Sequence, residues 1–343
     1  AQVVEAFSHA LPRLLEAVDE RITVDAAFHC GGMSCDRLTL SREYNAQFGR
    51  TLLATCDFAL TGQLVHEFRW LVGVLSRRGF LLEYFDRMLE AWSIAIVTHL
   101  GSDEADELLP LLAHLRGSLG LSFEAQRHGT ELTDEAEQFL AAILARQRRV
   151  ATAHALSILR QGNPLPEVIS RVVLPVLSRI GLLWESAAMS AAEEHAATEL
   201  CKYVLLQLFD AVTPDPAFGR RALIACVPDE EHALGAQLVA EYLTLRGWDV
   251  FLVGRSAPQE DILVACAKFK PEVLLLSVTM VANLVPAREL IEAARAASTR
   301  LGIVIGGRAA ELARPRFEEM GLAVVSRFEQ AHEAARAQLQ DDA

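Results

Sequence analysis

From the N-terminus to about Leu121, apolar residues recur every three or four positions, as at Leu64, Phe68, Leu71 and Leu75. That spacing is the stripe of an amphipathic helix, not the alternation of a strand. It predicts helices over about 3–19, 40–61, 63–78, 81–99 and 103–119, with breaks at Gly31-Gly32, Gly62, Gly79 and Gly101. The polar stretch Arg127-His128-Gly129-Thr130 separates this block from a second helical one, whose Thr133-Asp134-Glu135-Ala136 opening has the chemistry of a helix N-cap. There the pattern predicts helices at about 134–160, 165–184 and 190–210. The first is long enough to split, which makes a four-helix bundle. Ser190 and Glu193 have the spacing of a capping box, so Glu194 and His195 fall in the first turn of the last helix.

Beyond Pro214 and Pro216 the pattern changes. Short β-rich runs at about 222–227, 249–253, 272–278, 302–305 and 322–325 alternate with amphipathic stretches of roughly 10 to 16 residues, the signature of right-handed crossovers into a parallel sheet. The apolar runs are continuous, which predicts strands covered on both faces. The expected fold class is therefore multidomain: an all-α N-terminal domain over 1–125, a four-helix bundle over 133–212, and a flavodoxin-like, doubly wound α/β domain with a five-stranded parallel sheet over 219–343. Ligands of such sheets bind beyond the carboxyl ends of the strands, so the loops at 228–235, 277–283 and 306–308 should line one crevice.

Composition narrows the function classes. A chain of 343 residues exceeds what one core usually serves, and 52% hydrophobic with 22% charged residues describes folded protein. The formal charge is −13, and the 32 basic residues form no block long enough for a phosphate-binding stripe, which argues against direct nucleic-acid binding. No apolar run reaches the roughly 18 to 20 residues of a membrane span and no signal-peptide pattern opens the chain, so a cytoplasmic location is expected. The six cysteines form no CxxC pair. Most read as small buried hydrophobes, whereas Cys30 and Cys35 flank Gly31-Gly32 in a predicted loop and are the candidates for an exposed thiol. No zinc cluster, P-loop or nucleophile triad is evident, so no catalytic residue is assigned and the chain is read as a non-enzyme.

Chemistry collects at the strand ends. A histidine in the loop after the first strand, His232, can offer a ring nitrogen to a metal while Glu230, two residues earlier, accepts the other ring N–H and fixes the tautomer. Gly235 lets a bulky ligand approach the backbone, Ser277 and Thr279 place hydroxyls at the end of the third strand, and Gly306-Gly307 ends the fourth without side chains. An ordinary flavodoxin-like domain with a solvated loop histidine is the plain alternative. The set resembles the E/D-x-H-x-x-G, S-x-L/T and G-G signature of cobalamin-binding domains. The resemblance implies that His232 ligates the cobalt of cobalamin in place of the dimethylbenzimidazole base, whose nucleotide tail enters a slot at the Ser and Gly-Gly positions.

Upstream, Trp184 is followed by Glu194-His195 at the spacing W-x9-E-H. This is similar to the helical cap of adenosylcobalamin-dependent photoreceptors of the CarH type, and implies a roof in which Trp184, Glu194 and His195 pack around the adenosyl group. Two departures stand out. Glu185 occupies the place where that type carries a histidine after the Trp, and an acidic helical block precedes the bundle in place of a basic winged helix. The second departure resembles the photocobilins, and implies biliverdin as a further partner, with Phe68, Trp70, Tyr84, Phe85 and Trp92 as candidate walls and His66, Arg69, Arg77, Arg78 and His99 as candidate polar contacts. On this resemblance the chain is expected to be a light sensor and homo-oligomer whose packing changes with light and which signals to an unidentified effector. A corrinoid carrier for a methyltransferase is the competing expectation.

Overall fold

The computed structural model describes residues 2–29, 35–119 and 131–339. The side chains of Cys30 and Cys35 and the 127–130 linker lie outside that description. The chain divides into two compact units, 1–126 with 280–285, and 127–279 with 286–343.

The first unit is helical throughout its described N-terminal part: α1 (Gln2–His29), α2 (Cys35–Asp57), α3 (Thr61–Ser76), α4 (Leu82–His99) and α5 (Ser102–Ser118). The five predicted helices are present, although α1 runs ten residues past its expected end. The core is aromatic. Phe68, Tyr84, Phe85 and Trp92 are buried, with Phe48 edge-on to both Phe68 and Trp92 at centroid distances of 5.8 and 5.7 Å. Trp92 fits only because residue 49 is glycine, since a Cβ there would stand 2.6 Å from the indole.

The second unit opens with the predicted bundle. Thr133 caps α6 (Asp134–Leu144) by accepting the Ala136 N–H at 3.2 Å, and α7 (Arg148–Arg160) follows after a tight turn. The expected helix at 165–184 is interrupted. Between α8 (Leu165–Val168) and α9 (Leu174–Glu185) the backbone widens into a π turn at Ile169–Val173, where the Leu174 N–H reaches the Ile169 carbonyl. Pro175 supplies the reason: it has no N–H to donate and its ring crowds the carbonyl four residues back, a cost of about 3 kcal/mol in a regular helix. Ser190 starts α10 (Ala191–Asp210) with a complete capping box.

The α/β part contains β1 (Arg221–Cys226), α11 (Leu234–Leu245), β2 (Asp249–Gly254), α12 (Gln259–Phe269), β3 (Val273–Ser277), α13 (Leu284–Ala297), β4 (Gly302–Gly306), α14 (Arg308–Leu312), α15 (Arg314–Glu319), β5 (Ala323–Val325) and α16 (Ala331–Ala337). All strand pairs are parallel, in the order β2-β1-β3-β4-β5. The expectation of strands covered on both faces holds for β1 and β3 but not for the edge strand β2, where Phe251 and Leu252 are 44% and 40% exposed. An edge strand has one neighbour fewer, and apolar sequence alone does not show which strand that will be.

Two features of this packing place a site. Register aligns Cys226 with Ser277, Ser277 with Gly306, and Gly306 with Val325, so the carboxyl ends of four strands meet in one row. The helical bundle shares a core with the α/β part: Leu238 and Phe328 join the bundle's buried residues, with Leu234, Val239 and Tyr242 packed against them. The bundle is thus anchored on α11, the helix that leads away from the His232 loop.

Candidate functional site

The loop after β1 is built to hold a carboxylate inside and an imidazole outside. Asp229 adopts a left-handed φ of 63°, a conformation that Asp tolerates better than most residues. The chain turns there, and Glu230 becomes fully buried while the side chain of His232 stays 57% exposed. Glu230 is the organising group. Its Oε1 accepts the His232 backbone N–H at 3.0 Å and lies 2.6 Å from His232 Nδ1, while its Oε2 accepts the Thr279 backbone N–H at 2.9 Å. One carboxylate therefore joins the β1 loop to the β3 loop and aims the ring between them.

With Nδ1–H assigned as the donor to Glu230, Nε2 is left unprotonated and has no hydrogen-bond partner among the described residues. The imidazole is held above its ordinary pKa range, first by the Glu230 hydrogen bond, against the effect of burial; Glu194 adds to the rise and Arg308 opposes it. That influence of Glu194 places the start of α10 within electrostatic reach of His232.

The same arrangement recurs on the bundle. His195 Nδ1 lies 2.6 Å from Glu194 Oε2, and Glu194 Oε1 accepts the Thr198 hydroxyl at 2.7 Å. Glu194 is mostly covered at 22% exposure whereas His195 projects at 78%. Trp184 is half-buried near the end of α9, separated from α10 only by a short turn.

Between the strand ends and the bundle lies a cavity of about 260 Å³. Five of the residues singled out in the sequence line it: Gly235, Ser277, Thr279, Gly306 and Gly307. The other five, Trp184, Glu194, His195, Glu230 and His232, do not. The candidates therefore sort into a slot, an imidazole loop and a roof. The sequence reading missed Ser170 in the π turn, Leu174 at the start of α9, Val325 at the end of β5, and Ser326 and Phe328 beyond it. Ser326 was within reach of the strand-end rule that found Ser277, whereas Ser170 and Leu174 carry no local signal. Ser326 donates to Glu311 at 2.6 Å and accepts from Arg314 at 2.9 Å, and Arg314 also donates to both Glu311 oxygens at 3.0 and 2.6 Å; the bonds from Arg314, then the one from Ser326, lower the Glu311 carboxyl to about 2.

The donor set limits what can bind. Among the described residues no three His, Cys, Asp or Glu side chains gather to hold a metal ion. A single oriented imidazole with no companions suits a metal whose remaining ligands arrive with it, as in a corrin, and the narrow slot beside it suits a flat appended group. The described cysteines offer no competing thiolate, since burial raises Cys201 and Cys226 to about 12 and Cys56 and Cys266 to about 11.

Residues 220–337 match the B12 binding domain family, and residues 135–208 match a second family of B12 binding domains. The chain thus carries cobalamin-binding domains in both its bundle and its α/β part. It is 31% identical over 135 residues to the HTH-type transcriptional repressor CarA of Myxococcus xanthus, covering 39% of this chain and 45% of that protein. It is 29% identical over 213 residues to the HTH-type transcriptional repressor CarH of the same organism, covering 60% of this chain and 69% of that protein. The chain therefore spans less than half of the first relative's length and about two thirds of the second's. Among solved structures it is similar to the monomethylamine corrinoid protein of Methanosarcina barkeri, with 18% identity and a TM-score of 0.49 over 60% of this chain and 97% of that one. Among the described residues no helix is long and apolar enough to cross a membrane.

Proposed function

We propose that this protein is a light-responsive cobalamin-binding regulator and not an enzyme. The observation that carries the reading is the occurrence of two carboxylate-held imidazoles, Glu230–His232 in the loop that leads to the cavity-lining Gly235 and Glu194–His195 at the start of α10. His232 Nε2 would hold the cobalt, with Glu230 fixing the ring, and Ser277, Gly306 and Gly307 would take the nucleotide tail. Trp184, Glu194 and His195 would form the roof around an upper ligand, for which the adenosyl group fits best: Trp184 offers a broad aromatic surface and Glu194 an acceptor for its polar edge. Adenosylcobalamin, when bound, supplies a cobalt–carbon bond that light cleaves. Roof residues that contact the adenosyl group lose those contacts once it leaves, and this difference between two ligand states is what can bias the packing of the bundle.

The similarity to CarA and CarH supports a regulatory role, whereas the part of those proteins that their name describes as HTH-type is not needed for this reading. The helical unit supports biliverdin less well, because Phe68, Tyr84, Phe85 and Trp92 are buried in its own core.

Protein loaded with adenosylcobalamin in darkness and then illuminated should change both its absorption spectrum and its oligomeric mass. Unchanged spectrum and mass would defeat the light-sensor reading, and stronger binding of methylcobalamin than adenosylcobalamin would favour a corrinoid carrier. His232→Ala should convert the bound cobalamin to a spectrum lacking a lower nitrogen ligand; retention of the wild-type spectrum would remove His232 from the site.

A further inference from the structure

One surface of the bundle departs from the acidic character of the rest. The segment Leu144-Ala145-Arg146-Gln147-Arg148-Arg149-Val150 joins α6 to α7 and holds three arginines and no acid. All seven residues are exposed, Leu144 at 43% and Val150 at 53%. No salt bridge engages these arginines among the described residues. Arg148 instead lies over the ring of Tyr203 on α10, 4.9 Å from its centroid, and Tyr203 is itself 39% exposed. Elsewhere on the bundle, Arg171 is paired with Glu135 and Glu167, and Lys202 with Glu199. The surface also has a defined location. The contact of Arg148 with Tyr203 sets the turn against the side of α10.

We infer that Arg146, Arg148 and Arg149, with Leu144, Val150 and Tyr203, form a docking surface for an acidic, partly apolar polypeptide segment of another protein. Charge complementarity sets the sign of the partner: three exposed guanidinium groups, none in a salt bridge among the described residues, select carboxylates on a chain of net charge −13. The apolar residues between them set its class. A nucleic-acid backbone would use only the charges, whereas an acidic helix with apolar residues also covers the tyrosine and the two aliphatic side chains. Arginine and tyrosine are the side chains that most often dominate such contacts. The surface uses none of the residues assigned to cobalamin, so its test is independent of that assignment.

The test is fluorescence anisotropy of a labelled synthetic amphipathic peptide of Glu, Leu and Phe, titrated with the full chain at low salt. Saturable binding is expected, weakened roughly tenfold or more by the combined R146E, R148E and R149E substitutions and weakened also by Tyr203→Ser. Thermal unfolding of the variants should match the parent protein. Absence of saturable binding, equal binding by the charge-reversed variant, or equally tight binding of a labelled DNA duplex would overturn the inference. So would a self-association that the peptide does not compete with but charge reversal abolishes, since the occupant would then be a second copy of the chain.

Discussion

Glu230→Ala is expected to destabilise the protein by about 2–4 kcal/mol and to weaken cobalamin binding roughly ten- to a hundredfold. The carboxylate is fully buried and accepts from the His232 N–H, from His232 Nδ1 and from the Thr279 N–H. Removing it leaves two part-buried backbone donors without their acceptor and frees the imidazole to rotate. Glu230→Gln is an instructive companion, because its amide keeps one acceptor but turns an NH2 toward one of the donors, so affinity should again fall. Denaturant unfolding of the ligand-free protein reads the first effect, and a spectrophotometric titration with cobalamin reads the second. A variant with unchanged stability and unchanged affinity would show that Glu230 is a bystander and that the order of the loop comes from elsewhere.

That prediction rests on a residue legible in the sequence, and the reason is local. A loop after the first strand of a doubly wound sheet must lie at the binding edge, and a carboxylate two residues before a histidine is close enough to reach its ring. Other features were legible only in kind. Thr279 was read as a hydroxyl donor, but the structure uses its backbone N–H, a choice set by how the β3 loop meets the β1 loop. The π turn follows from Pro175, yet that it brings Ser170 and Leu174 to the cavity depends on how the bundle sits against α11. The exposure of β2 depends on strand order, which a single apolar run does not encode. The two Glu–His pairs could be named separately from their motifs, whereas the influence of Glu194 on His232 required both elements in space.

The glycines that were read together as places for close ligand approach separate once their surroundings are known, and their substitutions should diverge sharply. At Gly307, φ is 104°, a region that disfavours L side chains, and a Cβ would stand 2.3 Å from the Val278 carbonyl oxygen and 2.8 Å from its carbon. Both obstacles are backbone. Val278 donates to Gly306 at 2.9 Å and accepts from Ala309 at 3.2 Å, so it cannot withdraw without breaking the junction between β3, β4 and α14. Gly307→Val should therefore cost about 3 kcal/mol or more through strain and overpacking combined, with loss of cobalamin binding as a consequence. At Gly235 the nearest atom to an added Cβ is the Ser277 hydroxyl oxygen at 3.3 Å, the end of a short side chain at the cavity wall. Gly235→Leu should leave stability within about 1 kcal/mol, since a helical position gains propensity from the change, while filling the slot and sharply reducing cobalamin affinity. Thermal unfolding without ligand and titration with cobalamin, performed on both variants, decide the matter. If Gly235→Leu binds cobalamin like the parent protein, the cavity at the strand ends does not receive the ligand; if Gly307→Val folds with parental stability, the tight junction described for it is not what requires glycine there.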